Sequence, residues 1–172
     1  MFIHEMTEAE CRQALNEAGV ARLACAQDNQ PYVVPTSFAL HHEYIYAFTT
    51  LGQKVQWMRE NPKVCIEVDQ RQTHNSWYSV IVFGHYEELP DRPEYQAARM
   101  TAYSLLSKRM MWWEPAAVSV THRDSQHSLI PIFYRIRIER MTGHRSSPDP
   151  TEGEQFDEPK IQTRHWWSHF SH

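Results

Sequence analysis

The sequence predicts a mainly β fold with short helices on its flanks. Apolar residues alternate with polar ones in several runs, the period of a strand with one face in a core. Turn-forming residues separate those runs, and the helical patterns between them are few and short. At 172 residues, 41% hydrophobic and 22% charged, the chain has the size and composition of one domain with a real core.

Taken in order, Thr7 before Glu8, Ala9 and Glu10 reads as an N-cap with an acidic first turn. The helix it opens, through Cys11, Leu15 and Ala18, is expected to stop at Gly19. Val20 to Ala26 then alternates, with Val20 and Arg22 on one side and Ala21, Leu23 and Cys25 on the other. Asp28-Asn29-Gln30-Pro31 is turn chemistry, so a hairpin with Tyr32-Val33-Val34 follows. Pro35 interrupts that second run, and Ser37 to Leu40 resumes it, which implies a bulge or a sheet edge. Backbone groups released there, beside Thr36 and Ser37, are free to meet a ligand. His41-His42-Glu43 is a further turn, and Tyr44, Tyr46 and Phe48 belong to a β-prone run read first as core.

That run stops at Thr49-Thr50, and Gly52 opens a helical pattern ended by Asn61-Pro62. Thr50 and Gln53 have the spacing of a capping box. Lys54 is out of place, because a cation in the first turn opposes the helix dipole. Either a bound anion beside Thr49, Thr50 and the free N–H groups removes the conflict, or Lys54 points into water at a cost of about a few tenths of a kcal/mol.

Val64, Ile66 and Val68 mark a half-exposed strand, Gln70 to Ser76 a polar loop, and Trp77 to Glu88 a long strand. Gly84 inside it predicts a bulge or a close backbone approach. Asp91 as N-cap and Pro93 in the first turn introduce a helix carrying Tyr95, Ala98, Tyr103 and Leu106. Ile130 to Ile138 is the last strong strand, its Arg135, Arg137 and Arg140 turned away from the core or towards an anion. Residues 1–145 form the expected domain. Residues 146–172 read as a polar tail whose aromatic end, His165 to Phe170, docks on the barrel or a partner subunit.

Charge and cysteine usage exclude several functions. A net charge of −4 argues against a nucleic-acid surface, and no run approaches the length of a membrane span. The first residues lack the basic and apolar regions of a signal peptide, and three scattered cysteines without C-x-x-C fit reduced thiols in a cytoplasm. The histidines show no metal-ligand spacing, so no metal is expected. Five glycines include no G-x-G-x-x-G and no Walker sequence.

The order Gly19–Ala24, Pro31–Phe38, Thr49–Lys54, Asn61–Val64, Trp77–Gly84 and Trp112–Ala116 resembles the pyridoxamine-phosphate-oxidase-like, FMN-binding split-barrel proteins. It is closest to their small flavin-nucleotide-binding branch, related to nitroimidazole-resistance proteins. The resemblance implies a Greek-key split β-barrel that forms a homodimer, with FMN in clefts shared between subunits. Thr49, Gln53 and Lys54 would hold the FMN phosphate, with Thr50 close by. Pro35, Thr36, Ser37 and Phe38 would line the isoalloxazine ring, largely through backbone. Trp77 and Ser79 would come from the second subunit, and Trp113 would border the ring. The implied activity is that of an oxidoreductase on a small molecule, with no catalytic acid assigned. Alternatives are a non-catalytic flavin carrier or sensor, or a haem protein using the tail histidines.

Three departures narrow the activity. Lys54 is followed by Val55 where the biosynthetic oxidase has a second cation; the Arg-x-His segment of that oxidase has no match; and Gln53 stands where the nitroimidazole branch has histidine.

Overall fold

The computed structural model describes residues 1–73, 75–109 and 130–147. Among the described residues, eight antiparallel strands make one sheet around β8 (Ile132–Ser147), whose length lets it serve three partners. β7 (Ser76–Glu88) runs along one side of it. On the other side, β5 (Tyr44–Thr49) pairs with its first half and β1 (Phe2–Glu5) with its last residues. Beyond these lie β6 (Lys63–Thr73), β2 (Val20–Gln27), β3 (Gln30–Ser37) and β4 (Ala39–His41), in the order β3-β2-β6-β7-β8-β5-β4.

That order also shows that the sheet curls. β3 and β8 are four steps apart, about 19 Å in a flat sheet at the usual strand spacing. Yet the Thr36 and Tyr134 hydroxyls lie 3.3 Å apart across the interior. The main core fills that interior with Leu23, Phe38, Ile45, Ile66, Val82 and Tyr134, and with Leu15 of α1 (Glu8–Glu17) and Met58 of α2 (Gln53–Glu60). A second core lies on the opposite face, where Ala102 and Leu106 of α3 (Gln96–Leu106) cover Tyr46, Phe48 and Phe133. β5 is therefore buried on both faces, with alternate residues serving each core, and the expectation of core for its aromatic residues holds.

Local rules explain most boundaries. The Thr7 N-cap forms a full capping box with Glu10. Asp28 and Asn29 sit at φ 49° and 63°, the left-handed pair that closes a two-residue hairpin. Gly84 combines both expected features: the β7–β8 register shifts beside it, and a Cβ there would lie 2.6 Å from the Arg137 carbonyl oxygen.

Several expectations are corrected. α1 ends at Glu17, with Ala18 as an extended C-cap, so Gly19 is not its terminator. Gln70–Thr73 continue β6, because hairpin pairing with β7 satisfies a polar backbone that composition alone reads as loop. Asp91 does not cap α3; a 3-10 turn at Pro93–Tyr95 intervenes, and Asp91 accepts from Gln96 Nε2 instead. β1 was not foreseen, and β8 runs on through Ser147. Trp112, Trp113 and the segment 148–172 lie outside the described residues.

The Gly84 contact gives the first prediction. Gly84→Ala must push its methyl against the Arg137 carbonyl and the Ile136 side chain, costing about 1–3 kcal/mol. Chemical denaturation measures the loss.

Candidate functional site

α2 fixes the position of the suspected anion site. Val55 and Met58, one turn apart, are buried against the barrel, and Trp57 packs edge-on to Tyr32 at 5.5 Å. The far end of the helix is pinned. Arg59 makes two 2.7 Å bonds to Glu88, and Asn61 Nδ2 donates to the Ala26 carbonyl at 2.9 Å.

The near end is open. Gly52 is the N-cap, extended and without a side-chain cap bond, so the predicted Thr50–Gln53 capping box does not form. The Gly52 carbonyl serves Val55 and Gln56, which leaves the Gln53 and Lys54 N–H groups pointing out of the helix end. Thr49, buried at the end of β5, donates its hydroxyl to the Thr50 carbonyl at 3.3 Å, a long bond that a better acceptor can displace. Thr50 is half-buried and Gln53 exposed.

Lys54 is the unusual member. It is half-buried, and among the described residues it makes neither a hydrogen bond nor an ion pair. Burial pulls its ammonium below the usual lysine pKa; the Cys25 thiol nearby acts weakly the other way. The three arginines of β8 that the sequence turned away from the core or towards an anion each have a partner. Arg135 binds Glu87 at 2.7 Å and lies over Tyr44, Arg137 reaches Glu87 and Glu139, and Arg140 stacks on Phe83. Among these side chains Lys54 is the one left with neither a carboxylate nor a ring beside it, which makes it the candidate cation for an anion.

The second expected segment lies on the edge strand. Pro35 is exposed, Ser37 half-buried and Thr36 buried. Phe38 is fully buried in the core, so only its backbone can meet a ring. Cys25 lies within electrostatic range of both Lys54 and Tyr134, the partner of Thr36, which ties this segment to the α2 end. Sequence reading missed both Cys25 and Tyr134 as neighbours of the site. Their inward positions in alternating strands were the available signal.

Trp77 and Ser79 are elsewhere. Thr49 pairs with Ile132 at the start of β8, whereas Trp77 pairs with Ser146 at its end. Fourteen strand steps of about 3.3 Å separate those ends along the chain. Trp77 borders a cavity of about 280 Å³ between α1 and the β6–β7 hairpin, with Gln13, Glu17, Gln70 and Tyr78. Ser79 donates to Glu67 Oε1 at 3.3 Å. Trp113 is not among the described residues.

Across the outer face of the sheet runs a paired row, Val33–Ala24–Cys65–Phe83–Arg140. Val20 and Val33 stay more than half exposed, and a groove of about 440 Å³ is lined by Ala24, Pro31, Cys65 and Phe83 with the charged Lys63 and Glu139.

The Lys54 environment makes a testable demand. With its folded pKa below the unfolded value of about 10.4, the charged ammonium costs stability at neutral pH. The cost is full below the folded pKa and is relieved as pH rises towards the unfolded one. Lys54→Met should therefore stabilise the ligand-free protein at pH 7, with the gain shrinking in alkali, as thermal melts across pH will register.

The family model described as pyridoxamine 5'-phosphate oxidase matches residues 7–145. An uncharacterized protein of Rhizobium meliloti (strain 1021) is 37% identical over 143 residues, 83% of this chain and 95% of that one. The crystal structure of a FAD-binding protein from Mesorhizobium loti is 38% identical with a TM-score of 0.70, covering 86% of this chain and 99% of that chain. The FAD-binding protein of Mycobacterium smegmatis, 18% identical, shares the fold at a TM-score of 0.62, over 84% of this chain and 100% of that one. On the family match and the two close relatives together, the chain belongs to the pyridoxamine 5'-phosphate oxidase family.

Proposed function

We propose that the protein binds a flavin nucleotide, FMN, and uses it as an oxidoreductase on a small molecule, as a homodimer with shared flavin sites. The observation that carries the reading is Lys54, a half-buried cation without an anion at an uncapped helix start. A phosphate would supply the missing charge and accept from the open N–H groups. The name of the Mesorhizobium loti relative, a FAD-binding protein, supports a flavin. FAD shares the phosphate of FMN, so the mass of the released flavin decides between them.

In this reading Lys54, Gln53, Thr49 and Thr50 hold the phosphate, and residues 35–38 present backbone groups to the ring. A bound flavin supplies the electron transfer; the protein orients it and excludes water. The distance between Thr49 and Trp77 along β8 supports a second copy, because one chain does not bring the two ends together. The exposed side chains of Val33 and Phe83 on the outer sheet face support it as well, as apolar surface a second copy can cover. A cytoplasmic setting is part of the proposal, supported by three free cysteines.

Mixing two inactive variants tests the shared site. Lys54→Ala and Trp77→Ala each spoil both sites of their own homodimer. A mixed dimer regains one intact site, from the Lys54 of one subunit and the Trp77 of the other. Random exchange makes half of the dimers mixed, so roughly a quarter of wild-type flavin binding should return. Oxidation of reduced nicotinamide with an added acceptor should return in the same proportion. No recovery on mixing contradicts the shared site, and recovered flavin without turnover contradicts the enzyme reading and leaves a carrier.

A further inference from the structure

We propose that Tyr134 is a positioning residue: its buried hydroxyl holds Thr36, and with it the segment that meets the ring of the flavin. The inference rests on the flavin reading above. β3 is the terminal strand on its side of the sheet, so its ladder comes from β2 alone. Pro35 removes one donor from that strand. An edge segment held on one side is free to shift or fray, which a cofactor-lining segment must not do.

Tyr134 supplies a hold from the other side. It is fully buried on β8, and its hydroxyl stands 3.3 Å from Thr36 Oγ1. Thr36 Oγ1 donates in turn to the Ser37 carbonyl, also at 3.3 Å. A hydroxyl has one proton to give. With the Thr36 proton directed to Ser37, the Tyr134 hydroxyl is the donor to Thr36. The chain of bonds ends on a backbone carbonyl inside the segment 35–38.

A second set of contacts holds Tyr134 from behind and reaches α2. The Tyr86 ring lies 5.3 Å from the Tyr134 ring, and the Tyr86 hydroxyl donates to Glu88 Oε2 at 3.0 Å. Glu88 is gripped by Arg59, in the last turn of the helix whose first turn carries Lys54. The phosphate end and the ring end are thus fixed to each other through β7 and β8. Burial keeps the Tyr134 proton in place, its pKa pushed up to about 12.

The plain alternative is a core tyrosine with a satisfied hydroxyl, which would affect stability and leave flavin binding alone. Riboflavin and FMN separate the two, since they share the ring and differ in the phosphate. Tyr134→Phe should weaken both flavins by the same factor, about two- to fivefold for bonds of this length, and shift the bound flavin's absorption. Lys54→Ala should instead remove only the advantage of FMN over riboflavin. Thr36→Val breaks the same contact from the other side and carries the test if Tyr134→Phe does not fold. The double variant should be no worse than either single one. Wild-type affinities in Tyr134→Phe, or losses that simply add in the double variant, overturn the positioning role. A wild-type protein that binds neither flavin overturns the flavin reading and this inference with it.

Discussion

The ladder along β8 is the constraint on which the rest of the structure depends. One long strand pairs with β7 along one side and with β5 and β1 in succession along the other. The same ladder needs a residue without a side chain at position 84, where two backbones meet. It also sets the distance between residues that the proposed site uses. Thr49 is delivered to one end of β8 and Trp77 to the other. A site that uses both, as proposed above, would have to be assembled from two copies.

The second organising feature is a charge without a counter-charge. A lysine in the first turn of a helix, partly withdrawn from water and unpaired, costs stability in the ligand-free chain. Elsewhere the protein pairs its charges well: Arg12 with Glu8 and Glu43, Arg22 with Glu67 and Asp69, Arg59 with Glu88. Against that habit, Lys54 reads as a cost accepted for a ligand. The open N–H groups at the same helix end belong to the same pattern.

Much of this was legible in the sequence, for physical reasons. The period-2 runs located the interior strands, because one side of each faces the barrel. Asp28-Asn29 announced its hairpin through left-handed backbone, and Lys54 announced itself through the dipole it opposes. Features that depend on partners distant in the chain were not legible. β1 is exposed throughout and exists because the end of β8 offers it an edge. Gln70–Thr73 look like loop until β7 pairs with them. The Thr50–Gln53 spacing suggested a capping box, yet Gly52 takes the cap and leaves the helix start open. Tyr134 looked like one more core residue, and only the curl of the sheet brings it to Thr36.

The central claim is that the Lys54 end of α2 receives the phosphate of a flavin. The most direct measurement is the visible spectrum of the freshly purified protein, with the released chromophore identified by mass. The account predicts a two-banded flavin spectrum and a released flavin nucleotide, retained by the wild type and lost from Lys54→Ala. A single intense Soret band, or a colourless protein that also refuses added FMN and FAD, would contradict it.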